Sequence, residues 1–119
     1  MAGAVRRIGW RLGLAVAVAV PARWAATRSR RWVAVPAAVA AAAQASPYSS
    51  VTNGRFRGGH ITRSYGAHED GVHAMQLELT QQNYMDQKNL SYDAERAVGL
   101  VETIKSMLHA YETSATRGT

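Results

Sequence analysis

The sequence of 119 residues contains no cysteine. A disulfide scaffold, a thiolate zinc site and a cysteine nucleophile are therefore excluded. Long apolar runs are missing as well, because the longest, Leu12–Val20, has nine residues, whereas a membrane-spanning helix needs about 20. Residues 1–68 lack lysine and acidic residues but hold ten arginines, and all eight acidic residues follow them. The basic pI is therefore a property of the first half. The length of 119 residues allows one ordinary domain.

The first 36 residues are rich in Ala, Val and Arg and contain no Lys, Asn, Asp or Glu. They share arginines and a short apolar run with secretory signals and transit peptides. Trp24 and the arginines that follow it disrupt the region of a signal cleavage site, however, and a transit peptide would be richer in serine. We interpret residues 1–36 as a low-complexity segment that is disordered or non-native, as a misread frame of a GC-rich gene would be. In the alternative interpretation, this Arg/Trp-rich half binds a membrane or nucleic acid.

Ordinary globular composition begins near Pro47, after an Ala-rich stretch, residues 37–45, that predicts a short helix. Asn53-Gly54 predicts a turn. Residues 72–80 alternate between apolar and polar, which predicts a strand with Gln76 and Glu78 on its polar face. The apolar face consists of Met75, Leu77 and Leu79.

Helical spacing of apolar residues predicts a last helix over residues 94–111, with Asp93 as its N-cap. Leu100, Val101, Ile104 and Leu108 are its expected core positions, and Tyr65 and Tyr84 are expected to be packing residues with a polar tip. The order of loop, strand, loop and helix is typical of the end of an α/β domain. Because one strand needs neighbours, we expect the rest of the sheet on another chain, or a truncated product.

Two motifs between residues 53 and 78 carry a family resemblance. They read Asn53-Gly54-Arg55-Phe56 with Gly58-Gly59-x-Ile61-Thr62-Arg63-x-Tyr65-Gly66, and Gly71-Val72-His73-Ala74-x-Gln76-Leu77-Glu78. In this order and spacing they resemble the C-terminal part of the N-formylglutamate amidohydrolase, or deformylase, family. The resemblance runs from about Ala37 or Ser46 to Ala110, and nothing before Ala37 shares it. It divides the chain into the segment 1–36, a C-terminal portion of an amidohydrolase domain over 37–112, and a tail over 113–119.

The resemblance implies a cytoplasmic enzyme of histidine degradation that hydrolyses N-formyl-L-glutamate to formate and L-glutamate. It also implies a zinc-exopeptidase-like (phosphorylase/hydrolase-like) mixed sheet with flanking helices, and a divalent metal, zinc above all, whose ligands we expect outside this chain. On this interpretation the chain is a truncated, inactive piece, or one half of a split amidohydrolase whose N-terminal half is separately encoded. The expected partner is the small-molecule substrate rather than nucleic acid or a membrane.

Hydrolysis of an amide requires an activated water and a group that carries its proton, and a dicarboxylate substrate requires fixed cations. By resemblance, Glu78 is the candidate general base toward a metal-bound water. Arg63 is the candidate clamp on a substrate carboxylate, with Arg55 or Arg57 as a second. Gly58 and Gly59, with no side chains, would let the backbone approach the ligand.

Each of these residues also has a simpler interpretation. Alternation alone explains Glu78 as a solvated or ion-paired strand residue, and Arg63 alone reads as a surface arginine. His60, His68 and His73 are spaced by eight and five residues, which matches no common zinc pattern, so we assign no metal ligand. His73 and Gln76 are alternatively expected to orient their neighbours through hydrogen bonds.

Overall fold

The computed structural model describes residues 13–18, 31–55, 57–67, 70 and 72–116. In chain order its elements are β1 (Gly13–Val18), α1 (Arg31–Gln44), β2 (Ser49–Thr52), α2 (His60–Tyr65), β3 (Met75–Leu79), a 3-10 helix (Gln81–Asn83), β4 (Met85–Asp86), β5 (Ser91–Tyr92) and α3 (Ala94–Thr116). This part of the chain is mixed α/β, with a small sheet, a short β4–β5 ribbon and flanking helices. The predicted fold class is confirmed at this level.

The three-stranded sheet has the order β2-β1-β3. β1 runs parallel to β2, where Gly13 pairs with Ser49, and antiparallel to β3, where Ala15 pairs with Glu78. The β3 strand therefore has a neighbour from this chain itself, β1 from within the segment 1–36, and β2 adds a third strand on the far side of β1. That this segment is non-native or disordered stays a prediction, since most of it, residues 1–12 and 19–30, lies outside the described residues.

Helix α1 begins at Arg31, six residues before the predicted start at Ala37. Pro36 lies inside it, and because proline has no N–H, the helix lacks one hydrogen bond at this point. The helix ends as predicted, since the backbone N–H and the hydroxyl of Ser46 both donate to the carbonyl oxygen of Ala43. These two bonds satisfy a carbonyl that the helix itself leaves unpaired.

The core lies where α1 packs on α3 and on the apolar face of β3. Its buried residues are Val39, Ala43, Tyr48, Leu100 and Met107, against which Ala42, Met75, Leu77, Leu79, Tyr84, Ile104 and Tyr111 pack. The alternation of β3 and the core positions of Leu100 and Ile104 are thereby confirmed. The prediction for Val101 and Leu108 is wrong, because α1 covers only one stripe of α3 and leaves these side chains 40% and 62% exposed. Tyr65, also expected to pack, is 69% exposed.

Helix α3 begins after Asp93, whose carboxylate accepts the backbone N–H of Arg96 at 3.1 Å. This is the predicted N-cap. The helix continues to Thr116, beyond the predicted end at Tyr111, and residues 117–119 of the predicted tail lie outside the described residues. Among the helices that the structure describes, none combines the length and the apolar character needed to cross a membrane.

Candidate functional site

The first motif forms a loop that contains Gly58 and Gly59, here called the glycine loop, and continues into α2. Gly58 has a φ angle of 81°, a left-handed conformation that favours glycine, and Gly59 precedes the first residue of α2. The buried Thr62 donates from its Oγ1 to the carbonyl oxygen of Gly59 at 2.9 Å, and the backbone N–H of Arg63 donates to the same oxygen at 3.3 Å. The Gly59 carbonyl is thus fixed by two donors from α2.

The polar face of β3 meets this loop. Gln76 Oε1 accepts the backbone N–H of Gly59 at 2.8 Å, and Gln76 Nε2 donates to Glu78 Oε1 at 2.5 Å. Residues two apart on a strand share a face, which places the two half-buried side chains side by side. One carboxamide therefore joins Glu78 to the glycine loop, so the hydrogen bonds expected from Gln76 to its neighbours are present. We call these hydrogen-bonded groups, together with Arg63, the loop–strand network.

The arginines of the first motif lie at the surface. Arg63 Nη1 donates to the carbonyl oxygen of Gly58 at 3.4 Å, so its guanidinium lies against the glycine loop. Arg55 and Arg57 are exposed too, but among the described residues no hydrogen bond joins them to the loop–strand network. The structure thus brings four of the six predicted site residues together and leaves Arg55 and Arg57 outside.

The histidines form no metal centre within the described ranges. His60 is exposed, and its Nε2 lies 3.2 Å from the Ser64 hydroxyl. The backbone carbonyl of His73 accepts a hydrogen bond from the Tyr111 hydroxyl at 2.6 Å, and His68 lies outside the described residues. No three His, Asp or Glu side chains of the described residues are grouped so that they could hold an ion. The described residues therefore do not supply the ligand set that zinc requires.

An apolar groove of about 360 Å³ lies between β3 and α3. Met75, Leu77, Ile104 and Tyr111 are among its lining residues, and Gln76 is the one that it shares with the loop–strand network. Burial in this region raises the pKa of the Tyr111 hydroxyl above its ordinary value of 10.0. Because unpaired charge is costly to bury, the apolar lining does not suit a dicarboxylate. The loop–strand network is the better candidate site.

Comparison with known families decides which class of protein carries this arrangement. The model of the family described as N-formylglutamate amidohydrolase matches residues 11–85, more than half of the chain. The chain belongs to this family. The match contains the whole loop–strand network, and it starts at residue 11 rather than at Ala37, where the motif resemblance begins.

Two curated relatives support the family assignment. The chain is 51% identical to an N-formylglutamate deformylase of Pseudomonas aeruginosa over 72 residues, 60% of this chain and 27% of the relative. It is 45% identical to an N-formylglutamate deformylase of Pseudomonas putida over 69 residues, 57% of this chain and 26% of that relative. The matches thus span about a quarter of the length of these relatives. No solved structure matches.

Two contacts of this family member were not predicted from the sequence. Thr62 is 2% exposed and anchors the loop through the Gly59 carbonyl, and its place in the first motif, three residues after the glycine pair, is the one available signal. The hydrogen bond from Tyr111 to His73 joins residues 38 positions apart. Helical spacing gives Tyr111 a buried position but does not indicate which backbone group its hydroxyl reaches.

Proposed function

We propose that this chain contributes the substrate-binding loop and the catalytic base for hydrolysis of N-formyl-L-glutamate to formate and L-glutamate, a step of histidine degradation. One observation carries the proposal. In a chain of the N-formylglutamate amidohydrolase family, an arginine and a carboxylate belong to one hydrogen-bonded unit, with Arg63 bound to Gly58, and Gln76 joining Gly59 to Glu78. A cation for the substrate and a base for water are the two groups that this reaction needs.

In this proposal Glu78 takes a proton from the attacking water. The water oxygen bonds to the formyl carbon, the proton passes from Glu78 to the leaving nitrogen, and the C–N bond breaks. Formic acid then gives its proton to the amine, which leaves formate and L-glutamate. The exposed Arg63 guanidinium pairs with a carboxylate of the substrate, where the planar fork of arginine suits the two oxygens.

The family resemblance also implies a divalent metal and a zinc-exopeptidase-like sheet, and both are proposals. The described residues contain no group of three His, Asp or Glu suited to an ion. Metal ligands would have to come from elsewhere, so we derive no step through a metal here. A separately encoded half that supplies them is part of the same proposal.

The proposal is tested by titrating the 119-residue chain with N-formyl-L-glutamate and measuring the dissociation constant by calorimetry. Arg63→Gln is expected to weaken binding at least about tenfold, since hydrogen bonds between charged groups contribute about 1.5–3 kcal/mol. Arg96→Gln is the matched control, because Arg96 lies on α3 in a surface ion pair with Asp93 and such pairs contribute little. Equal weakening by both variants, or no binding to the unaltered chain, would refute the proposal.

A further inference from the structure

Gln76 differs from Glu78, the other polar residue of β3, in that both polar atoms of its side chain form hydrogen bonds within the loop–strand network. Its Oε1 accepts from the backbone of the loop, and its Nε2 donates to a carboxylate on its own strand. The carboxamide is half-buried, so water competes less for these bonds than at an exposed position. Its two partners are the two halves of the loop–strand network.

The orientation of this carboxamide follows from its partners. The backbone N–H of Gly59 is only a donor, so the atom that faces it must be the oxygen, and the NH2 group must then face Glu78. An amide donates a hydrogen bond but does not release its proton at ordinary pH. Oε1 of Glu78 is therefore occupied by a fixed donor, and the proton of an attacking water falls to Oε2.

The loop is fitted closely to the same carboxamide. A Cβ added at Gly59 would lie 3.1 Å from Gln76 Oε1, a contact tighter than side chains ordinarily make. The glycine thus lets the loop backbone come within hydrogen-bond reach of Gln76. On its other side, the Gly59 carbonyl is held by Thr62.

We propose that Gln76 is a positioning residue that orients the Glu78 carboxylate and holds the glycine loop at a set distance from it. The substrate clamp Arg63, bound to Gly58, is thereby kept in register with the base. This inference rests on the proposed function, because it assumes that N-formyl-L-glutamate binds between the loop and β3. It adds a residue that touches the two binding elements rather than the reacting atoms.

The test uses the 119-residue chain, with the Gly59 backbone amide and the Gln76 side-chain amide followed by NMR during titration with N-formyl-L-glutamate. Both signals are expected to shift with one dissociation constant, since a merely structural glutamine remote from the ligand would not respond. In Gln76→Met, hydrogen exchange of Gly59 should accelerate and affinity should fall about fivefold, which corresponds to the loss of one typical hydrogen bond. Gln87→Met, at an exposed position, is the matched control and should change neither.

Gln76→Glu is a second variant that tests the role even if Gln76→Met fails to fold. It keeps an acceptor for Gly59 and so should preserve the slow exchange of that amide, but its second carboxylate beside Glu78 should still weaken binding of the dicarboxylate. Unaltered affinity in both Gln76 variants, or a Gln76 side-chain signal that stays fixed while the signals of α2 shift, would overturn the positioning role and leave the proposed function standing. If the Arg63→Gln chain shows the same signal shifts and dissociation constant as the wild type, the proposed function is overturned, and the inference with it.

Discussion

The backbone amide of Gly59 fixes the polar side chains of the candidate site through one hydrogen bond. It orients the Gln76 carboxamide, which in turn places a donor on Glu78. Alternation along β3 predicts that these two side chains share a face, because the period of a strand is two. The bond to Gly59 spans 17 positions and could not be predicted, since it depends on the packing of α2 against the sheet.

Tyr111 gives a prediction about single-residue stability. Tyr111→Phe removes the hydroxyl that donates to the His73 carbonyl at 2.6 Å, and we expect a loss of about 1 kcal/mol near neutral pH. Burial raises the Tyr111 pKa above 10.0, so the unfolded state loses the proton first. The stabilisation by Tyr111 is complete below about pH 10 and declines as the pH rises through the folded-state pKa.

Urea unfolding of the two proteins near neutral pH and above about pH 10 checks this dependence. The difference in unfolding free energy between the wild type and Tyr111→Phe should shrink at the higher pH. A difference that grows with pH would contradict the assignment of the shift to burial.

At the scale of elements, the turn of the β4–β5 ribbon is bonded to one carboxylate, that of the last residue of β4. Asp86 accepts the Lys88 backbone N–H at 2.9 Å and the Asn89 side-chain amide at 2.7 Å, and these bonds, the Lys88 bond first, lower the Asp86 pKa below 3.8. Leu90 has a positive φ of 52°, a backbone conformation that is unfavourable for a residue with a bulky side chain. The turn therefore needs other interactions to stabilise it. The charged form therefore stabilises the turn.

Asp86→Asn is expected to destabilise the ribbon at neutral pH, because it removes the charge from both hydrogen bonds. A lowered folded-state pKa means that this stabilisation is present above about pH 3.8 and is lost as the pH falls through the folded-state value. Hydrogen exchange of the Lys88 amide should be faster in the variant near pH 7 and equal in both proteins in strong acid. Equal exchange at neutral pH would show that the carboxylate does not hold the turn.

The 3-10 helix that follows β3 contains a polar residue, Asn83, that is buried without a hydrogen-bond partner among the described residues. Asn83 is 1% exposed, and neither its Oδ1 nor its Nδ2 has a hydrogen-bond partner in the part of the chain that the structure describes. Replacing such a group by an apolar one of similar shape is neutral or stabilising. Asn83→Leu should therefore keep or raise the unfolding free energy, by up to about 1 kcal/mol in urea titrations. A clear loss of stability would show that the amide has a polar partner in solution.

Element types are more predictable from this sequence than element lengths. The Ala-rich stretch predicts α1, and apolar spacing predicts α3, but α1 begins earlier, at Arg31, and α3 continues to Thr116. Local propensity does not determine these ends, because packing of α1 on α3 stabilises helical turns that propensity alone would not. The same packing decides that Leu100 is buried while Val101, its neighbour, is exposed.

At the scale of the whole molecule, the sheet unites distant parts of the chain. β1 lies between β2 and β3, so residues 13–18 pair with strands that begin at residues 49 and 75. Composition separates the first 36 residues from the rest and gives no hint of this pairing. By contrast, four residues that the motifs single out, Gly58, Gly59, Arg63 and Glu78, all lie in the loop–strand network.

The central claim is that Glu78 is the catalytic base of N-formylglutamate hydrolysis. It is tested most directly by formate release from N-formyl-L-glutamate when the 119-residue chain is combined with a second polypeptide, the Pseudomonas aeruginosa relative without its matched segment. Glu78→Gln should lower the rate at least about 100-fold, the usual contribution of general base catalysis. The matched control Glu102→Gln, in an exposed ion pair with Lys105, should not. Equal rates for wild type and Glu78→Gln, or no formate from the wild-type pair, would contradict the account.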